Sequence, residues 1–253
     1  MTVTVFASGS GGNCLLLRSH ASNILIDAGI SARRLSAMLG SCGLSLQDLG
    51  GVLITHEHSD HISGLKTIVS HYGVPAYAPA AVVSRLEGSM PELIGLISVI
   101  PVGKPFSLCG SEITAFPTPH DASFSVGYRV SADGVFAVAT DMGHVTDEIR
   151  SALLGADAVL IEANHDEDML RYGPYPPALK RRILSANGHL SNADCAVLAS
   201  ELASAGTKKI ILGHLSRQNN SPEIALSTVS RAIAGLPVEL CCAPELGCLE
   251  LEV

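Results

Sequence analysis

Short apolar runs alternate with amphipathic segments along the whole chain. The apolar runs have the length of buried strands, and the segments between them repeat apolar residues at helical spacing. The pattern predicts strands over Thr2–Ala7, Cys14–Arg18, Asn23–Asp27, Val52–Thr55, Ala76–Ala78, Leu96–Pro101, Ser107–Leu108, Ile113–Pro117, Ser125–Val130, Val135–Thr140, Ala158–Glu162, Ile210–Gly213, Glu239–Ala243 and Gly247–Glu252. It predicts helices over Ser31–Cys42, Ile62–Tyr72, Ala80–Glu87, Asp147–Leu154, Pro177–Ala186, Asn192–Ala205 and Pro222–Ala234. Mixed strands and helices of this kind indicate the α/β class.

Side chains that can bind metals recur where predicted strands end. Asp27, Asp141 and His214 each end an apolar run, and His120 comes shortly after the strand Ile113–Pro117. In α/β proteins the loops at strand ends converge on one site. The recurrence therefore predicts a single site to which distant segments of the chain contribute.

The densest group of such side chains follows the apolar run Gly51–Ile54. Alternate side chains of an extended chain share a face, so His56 and His58 are expected to point the same way. Asp60 and His61 follow where the chain turns into a predicted helix. Imidazole and carboxylate ligands suit zinc, iron or manganese better than calcium. This segment therefore predicts a site for transition-metal ions.

The length and composition favour one α/β domain of the larger sort. Of the 253 residues, 47% are hydrophobic and 16% are charged, which is enough apolar material for a core. No apolar run reaches the roughly 18 residues of a membrane span, and the amino terminus lacks the basic stretch of a signal peptide. The seven cysteines are scattered, which favours a reducing compartment. We therefore expect a cytoplasmic protein with no membrane partner.

The charge of the chain is unevenly distributed. The formal net charge is −8, which argues against nucleic acid because phosphate binding favours a basic surface. The segment 169–192, however, contains Arg171, Lys180, Arg181 and Arg182 and no acidic residue. This basic segment leads into a turn that contains glycine and histidine, so a local phosphate-binding role stays open.

The HxHxDH motif at residues 56–61 resembles the signature of the metallo-β-lactamase superfamily. The other strand-end residues flank the motif in the order that this family shows. The resemblance implies a four-layer αββα sandwich in the α/β class, with 1–253 as a single hydrolase domain. A β-CASP insertion, which some nucleases of the superfamily carry, is not expected, because the segment 142–213 has mostly an ordinary core pattern.

The resemblance also implies a centre that binds two divalent metal ions, zinc or manganese. The expected ligands are His56, His58 and His120 for one ion and Asp60, His61 and His214 for the other, with Asp141 bridging the two. Asp27 would orient the motif. Two such ions can share a water and lower its pKa towards neutrality, which gives a hydroxide that attacks a phosphodiester. Asp60 would also orient or deprotonate this water.

Four further segments are similar to the YycJ/WalJ subgroup of the superfamily. They are residues 6–14, which contain Ser-Gly-Ser-Gly-Gly-Asn-Cys, and residues 162–166, 188–192 and 212–216. That subgroup is associated with 5′-to-3′ exonuclease activity on DNA. The resemblance therefore implies a metal-dependent phosphodiester hydrolase whose substrate is nucleic acid, DNA rather than RNA.

Two turns are candidates for binding substrate phosphates. The first turn combines glycines that allow close approach with side chains that form hydrogen bonds, and it consists of Ser10, Gly11, Gly12 and Asn13. The second turn resembles the GHxS turn of β-CASP nucleases and stands at a predicted helix start, where backbone amides favour anions. It contains His189, Ser191 and Asn192, and it is approached by Arg181 and Arg182.

Two histidines are candidates for the general acid that protonates the leaving 3′ oxygen. His165 and His189 each end a predicted strand or loop near the expected ligands. A general acid has to reach the leaving group within hydrogen-bonding distance, and the sequence leaves the choice between them open.

Other functions on the same fold stay open as well. A hydrolase of small phosphodiesters or cyclic nucleotides would share the metals and the nucleophile, and the acidic net charge favours it. Thioester or lactam hydrolysis would use the same nucleophile on a carbonyl. A non-hydrolytic redox protein is disfavoured, because such proteins usually replace a motif histidine by a carboxylate and His58 is intact. The sequence does not determine the oligomeric state.

Overall fold

The computed structural model describes residues 1–20 and 22–253. Two seven-stranded sheets pack face to face, and helices cover the outer face of each sheet. The four-layer αββα arrangement expected from the sequence is therefore confirmed. Within the described ranges, no helix combines the length and the hydropathy that a membrane span needs.

The bounds of the elements are as follows. The strands, numbered in chain order, are β1 (Thr2–Ala7), β2 (Cys14–Arg18), β3 (Asn23–Ile26), β4 (Gly51–Leu53), β5 (Ala76–Ala78), β6 (Ile97–Val99), β7 (Pro105–Leu108), β8 (Ser111–Pro117), β9 (Val126–Ser131), β10 (Val135–Ala139), β11 (Ala158–Glu162), β12 (Lys209–Gly213), β13 (Glu239–Cys242) and β14 (Leu249–Glu252). The α-helices are α1 (Ala32–Ser41), α2 (Ser59–Ile62), α3 (Leu65–Ser70), α4 (Ala80–Ser89), α5 (Asp147–Leu153), α6 (Glu167–Tyr172), α7 (Pro177–Ile183), α8 (Asn192–Ser204) and α9 (Pro222–Ala232). Two 3-10 turns span Leu46–Asp48 and Pro91–Leu93.

The two sheets share one pairing pattern. Sheet A has the order β14-β1-β2-β3-β4-β5-β6, and sheet B has the order β7-β8-β9-β10-β11-β12-β13. In each sheet, read in this order, the first three pairings are antiparallel and the last three are parallel. β3 and β10 therefore occupy equivalent positions, where the pairing changes from antiparallel to parallel. The chain thus forms two halves of equal topology.

Apolar side chains fill three layers because the central strands are buried on both faces. Side chains alternate between the faces of a strand. On β2, Leu15 and Leu17 therefore face the layer between the sheets, whereas Leu16 faces the layer under the helices. Leu35 of α1 packs into that outer layer of sheet A, and Leu198 of α8 packs into the corresponding layer of sheet B. Burial on both faces explains why these strands appear in the sequence as nearly continuous apolar runs.

The structure corrects one predicted helix. The sequence predicts a continuous helix over Ile62–Tyr72, but the chain forms α2 and α3 with a break at Ser63–Gly64. The amide of Gly64 donates to Ala28 O at 2.8 Å, and a β-carbon at this position would lie 2.2 Å from Ile30 O. Contact with the segment after β3 therefore overrides the local helical pattern, and only glycine permits that contact.

The sequence pattern does not predict α6. This helix has six residues, which is too few to show helical periodicity. Its start nevertheless carries a local signal, because the Asp166 carboxylate accepts hydrogen bonds from the amides of Asp168 and Met169. An N-cap aspartate followed by an acidic first turn is typical of a helix start.

A buried hydroxyl links the two sheets beside the HxHxDH motif. Tyr128 on β9 of sheet B is fully buried, and its hydroxyl donates to Ile54 O, just after β4 of sheet A, at 2.6 Å. The amide of Val126 donates to Thr55 O at 3.2 Å. These two bonds fix the place where the motif leaves sheet A relative to sheet B.

Replacing Tyr128 by Phe is expected to lower the free energy of unfolding by about 1–3 kcal/mol, because Ile54 O is then buried without a donor. Urea unfolding followed by circular dichroism measures the change. Tyr72→Phe is the matched control, since Tyr72 is 46% exposed, and it should leave the midpoint unchanged. An unchanged midpoint for Tyr128→Phe would contradict a stabilising role for this link.

Candidate active site

The expected site residues lie together at one end of the sandwich. At this end the parallel strands β3 and β4 of sheet A and β10, β11 and β12 of sheet B reach their carboxyl ends. Ligand-binding sites of open α/β sheets form outside such strand ends. The loops that follow the two sets of strands meet here across the interface between the sheets.

Three of these strand ends have an unusual backbone. Asp27 after β3, Asp141 after β10 and His214 after β12 have φ values of 59°, 57° and 55°. Among the other described residues, Cys109 is the one further non-glycine with a positive φ. Residues other than glycine rarely adopt this left-handed region, and strain of this kind concentrates at functional sites. The turn at Asp27 also explains why β3 ends one residue before its predicted boundary.

Three imidazoles form the first ligand cluster. Ring nitrogens of His56, His58 and His120 lie within 4.8 Å of one another, and His120 Nε2 is 3.3 Å from His58 Nδ1. His120 Nδ1 donates to Gly188 O at 3.2 Å. Because that bond places the ring proton on Nδ1, the Nε2 lone pair faces the cluster, as in a metal-binding histidine.

Asp60, His61 and His214 form the second cluster, again with ligand atoms within 4.8 Å of one another. Asp141 lies between the two clusters. Its carboxylate oxygens are 3.3 Å from His61 Nε2, 3.5 Å from His214 Nε2 and 3.6 Å from His120 Nε2. The structure thus brings together all seven residues that the sequence resemblance implies as metal ligands.

Buried atoms without hydrogen-bond partners show that this arrangement suits a cation. His56 Nε2, His214 Nε2 and Asp141 Oδ2 are buried and make no hydrogen bond of acceptable geometry. A polar atom left in this state costs free energy unless something else binds it. Imidazole nitrogen and carboxylate oxygen are ligands that zinc and manganese accept. The residues present therefore fit divalent metal ions.

The titration behaviour of the cluster follows from burying opposite charges together. Burial alone would lower the pKa of His61 and of His214. The carboxylates of Asp27 and Asp141 nevertheless hold the pKa of His61 well above its ordinary value, and Asp141 raises the pKa of His214 to about 10. The imidazoles in turn hold the pKa of Asp141 well below its usual range despite its burial. When no metal is bound, protons on the imidazoles of His61 and His214 offset the negative charge of the carboxylates, and metal binding would release those protons.

Asp27 orients the motif from behind. Its carboxylate accepts hydrogen bonds from the Thr55 amide at 2.9 Å, from the Thr55 hydroxyl at 2.9 Å and from His61 Nδ1 at 2.7 Å. The bond to His61 leaves Nε2 of that ring facing Asp141 at 3.3 Å. Asp27 therefore fixes both the start of the motif and the orientation of one of its imidazoles.

Glu162 is a site residue to which sequence reasoning assigns no role. It is fully buried at the end of β11, and its Oε1 accepts from His189 Nδ1 at 2.7 Å and from His214 Nδ1 at 3.1 Å. Burial would raise the pKa of Glu162, but His189 and His214 outweigh burial and hold it at about 2. Its Oε2 accepts from the Met142 amide at 2.8 Å. The sequence feature that could have identified Glu162 as a site residue is its position at the carboxyl end of the strand β11.

A cavity of about 220 Å³ opens onto the cluster. Its lining includes ligand-cluster side chains and His189. Residues of α7 and Tyr175 just before it also line the cavity, as do Ser10 and Ser216. Arg182 of α7 lines it as well and donates two hydrogen bonds to Asp121, one of them at 3.0 Å.

The structure separates the expected substrate-binding residues. Ser10, His189 and Arg182 line the cavity. Arg181 is exposed and does not line it. Of the two general-acid candidates, His189 lines the cavity, whereas His165 is 1% exposed and does not line it.

Ser191 and Asn192, which the sequence suggests as substrate-binding residues, are buried and engaged in other bonds. The Ser191 hydroxyl caps α8 by accepting from the Asp194 amide at 3.1 Å. Asn192 and Asn220 exchange two side-chain hydrogen bonds of 2.9 Å each. Neither Ser191 nor Asn192 lines the cavity, because both side chains are used to hold the turn.

Gly11, Gly12 and Asn13 also support the site without lining the cavity. At Gly12 a β-carbon would lie 2.6 Å from Gly29 O, so glycine is needed for close packing of these two loops. The Asn13 side chain lies 2.9 Å from His61 Nε2 and 3.4 Å from Asp60 Oδ2. None of these three residues therefore borders the cavity in which a substrate would bind. Asn13 contacts the second ligand cluster and helps to position it.

Comparisons with known proteins agree with this geometry. The family model described as "Beta-lactamase superfamily domain" matches residues 22–215. Among solved structures, the metallo-β-lactamase fold protein YhfI from Bacillus subtilis matches with a TM-score of 0.73 and 19% sequence identity, over 99% of this chain and 99% of that chain. The fold and the site thus define a protein of the metallo-β-lactamase fold.

Two curated relatives align along most of the chain. "Exodeoxyribonuclease YycJ" from Bacillus anthracis is 37% identical over 236 residues, which cover 91% of this chain and 88% of the relative. "Exodeoxyribonuclease WalJ" from Streptococcus pneumoniae strain R6 is 38% identical over 237 residues, which cover 91% of this chain and 87% of the relative. The chain therefore belongs to the beta-lactamase superfamily and, within it, to the family of these two relatives.

The wild-type chain is expected to bind two divalent ions, and Glu162→Gln is expected to bind them roughly 10–100-fold more weakly. The reason is that an uncharged amide holds the Nδ1 protons of His189 and His214 less firmly than a carboxylate does. Titration of zinc against a chromophoric chelator measures both quantities. Glu201→Gln, a change at a surface residue paired with Arg150, is the control. Wild-type zinc affinity in a folded Glu162→Gln variant would contradict the orienting role.

Proposed function

We propose that this chain is a metal-dependent phosphodiester hydrolase that removes nucleotides from the 5′ end of DNA. The observation that carries the proposal is the buried imidazole and carboxylate cluster that opens into a cavity beside a histidine and an arginine. Support for DNA as the substrate comes from the near full-length similarity to two relatives named exodeoxyribonucleases. The 5′-to-3′ polarity is the activity associated with the subgroup that the sequence resembles.

The seven clustered residues would hold two divalent ions. His56, His58 and His120 would hold one, Asp60, His61 and His214 the other, and Asp141 would contact both. Zinc or manganese suits this ligand set. Ions at such a site lower the pKa of a water towards neutrality and offset the negative charge of a phosphodiester.

Asp60 is the carboxylate best placed to accept a proton from the attacking water. Its side chain is 22% exposed, whereas that of Asp141 is 3% exposed, and both line the cavity. Asp60 Oδ2 lies 3.5 Å from His214 Nε2 and 3.5 Å from His61 Nε2, and the nearby imidazoles lower the pKa of Asp60 despite its burial. Asp60 therefore stays ionised, as a proton acceptor must.

His189 is the proposed general acid. Its side chain is 19% exposed to the cavity, and its Nδ1 is held by Glu162. The bond to Glu162 fixes the ring through Nδ1, which leaves Nε2 as the nitrogen that would give a proton to the leaving 3′ oxygen. His165 lacks this arrangement, since it does not line the cavity and burial lowers its pKa.

Arg182 would hold a substrate phosphate at the edge of the same cavity. Its guanidinium donates hydrogen bonds to the Asp121 carboxylate, which hold the side chain in place. Arg182 nevertheless lines the cavity. Guanidinium groups in this geometry recognise phosphate oxygens. The seven cysteines are all free thiols, as expected of the reducing, cytoplasmic location that this proposal includes.

A small phosphodiester or cyclic nucleotide is the second candidate substrate. The cavity of about 220 Å³ is below the range of roughly 300–1,000 Å³ that is typical of ligand pockets. It therefore suits one nucleotide unit at a time. Both the end of a DNA strand and a free nucleotide diester are small enough for this cavity. The assay therefore has to compare the two substrates.

DNA labelled at the 5′ or the 3′ end, with zinc or manganese, tests the proposed function. We expect release of labelled mononucleotide from the 5′ end and slower loss of an RNA of the same sequence. Asp60→Asn should reduce turnover by roughly 100-fold or more in a variant with an unchanged circular dichroism spectrum. Cleavage of cyclic nucleotides but not of DNA would replace the exonuclease with the small-molecule hydrolase.

His189→Gln should reduce kcat on DNA by roughly 100-fold or more, because the 3′ oxygen leaves poorly without a proton. The p-nitrophenyl ester of thymidine 5′-monophosphate should be much less affected, since p-nitrophenolate leaves unprotonated. His165→Gln is the comparison, with metal content measured for both variants. A leaving-group-dependent loss in His165→Gln instead would move the general acid to His165.

A further inference from the structure

The lining of the cavity has two chemically different parts. One part consists of imidazoles and carboxylates, which suit metal ions. The other part is contributed by α7 and the residue Tyr175 before it, where Tyr175, Leu179 and Ile183 line the cavity together with Arg182. A phosphate needs polar partners and gains nothing from apolar side chains. The apolar side therefore indicates that the substrate has an apolar part at this position.

Tyr175 is an aromatic side chain that belongs to none of the three hydrophobic layers. The chain has five Tyr, five Phe and no Trp, and Phe6, Tyr128 and Phe136 are among its largest fully buried side chains. Tyr175, in contrast, is half-buried and borders the cavity. Hydrophobic packing of the core thus accounts for Phe6, Tyr128 and Phe136 but leaves the position of Tyr175 unexplained.

The backbone around Tyr175 is held rigidly. Pro174 precedes it and Pro176 and Pro177 follow it, so φ is restricted at three neighbouring positions and Tyr175 itself is restricted to extended conformations. At Gly173 a β-carbon would lie 2.4 Å from Met169 O, so the chain turns tightly at the end of α6. An aromatic ring on such a segment loses little conformational entropy when a ligand binds.

We propose that Tyr175 and Leu179 form a nucleobase-binding site that holds the base of the terminal nucleotide. The base would stack on the Tyr175 ring while Arg182 contacts the adjoining phosphate. Stacking on an aromatic side chain tolerates every base, because each base has a π face, and a base has to be unpaired to be held in this way. This inference rests on the proposed nucleotide-hydrolysing function and names the group by which the site recognises its substrate.

Two variants separate stacking from the other uses of Tyr175. Tyr175→Ala removes the ring, whereas Tyr175→Phe keeps the ring and removes the hydroxyl that could donate to a phosphate. Tyr172→Ala is the matched control, because Tyr172 lies three residues earlier, is 79% exposed and does not line the cavity. None of these changes alters a residue of the ligand clusters.

Calorimetric titration of the zinc-loaded protein with thymidine 5′-monophosphate and with 2-deoxyribose 5-phosphate tests the site directly. The wild type, Tyr175→Phe and Tyr172→Ala should bind the nucleotide at least about five-fold more tightly than the compound without a base. Tyr175→Ala should lose this preference and bind 2-deoxyribose 5-phosphate as the wild type does. Equal or absent binding of the two ligands by the wild type, or a Tyr175→Phe variant that behaves like Tyr175→Ala, would overturn the proposal.

Hydrolysis of DNA with and without a base on the terminal nucleotide distinguishes this proposal from the proposed function. We expect loss of the terminal base to raise KM in the wild type and to have little further effect in Tyr175→Ala. If the wild type degrades both DNAs equally well, the exonuclease stands and the base site is wrong. If the wild type fails on DNA but binds thymidine 5′-monophosphate through Tyr175, the base site stands and the exonuclease is wrong.

Discussion

Three carboxylates buried at strand ends are the constraint on which this site depends. Asp27, Asp141 and Glu162 are 3%, 2% and 0% exposed. A buried carboxylate is tolerated only when donors or opposite charges surround it. Histidine rings supply this compensation here, with His61 between Asp27 and Asp141 and His214 between Asp141 and Glu162. The imidazoles that would bind metal are therefore the same groups that make the buried carboxylates stable, so the centre and the fold around it depend on one another.

The equal topology of the two halves explains why these carboxylates meet. β3 and β10 hold equivalent positions in their sheets, and each is followed by an aspartate with φ close to 58°, namely Asp27 at 59° and Asp141 at 57°. The two halves nevertheless use this turn differently. Asp27 accepts hydrogen bonds from Thr55 and His61 behind the motif, whereas Asp141 keeps one oxygen without a hydrogen bond at the centre of the cluster. The same strand-end turn therefore places Asp27 where it orients the motif and Asp141 where it could bind a metal ion.

Much of the fold and of the ligand set could be predicted from the sequence, because strand length, burial and strand ends leave local patterns. Asp27 and His214 follow apolar runs and are predicted on that basis. Glu162 obeys the same rule, but the sequence does not tell whether a strand-end carboxylate faces the cavity or bonds the ligands from behind. Ser191 at a helix start has the same pattern whether it caps the helix or binds a phosphate. Tyr175 has no periodic signal, because its place in the cavity lining depends on how the chain before α7 packs in three dimensions.

The net charge of −8 limits how this protein can hold DNA. Arg182, which lines the cavity, is paired with Asp121, and Arg217, next to Ser216, is paired with Glu245. Each pair offers a phosphate less net positive charge than a free arginine would, so these two arginines contribute little free energy through counterion release along a strand. Under the proposed function, the divalent ions and the terminal nucleotide would then contribute much of the binding near the cavity. This balance favours an enzyme that acts at a strand end, one nucleotide at a time, over one that binds long internal stretches.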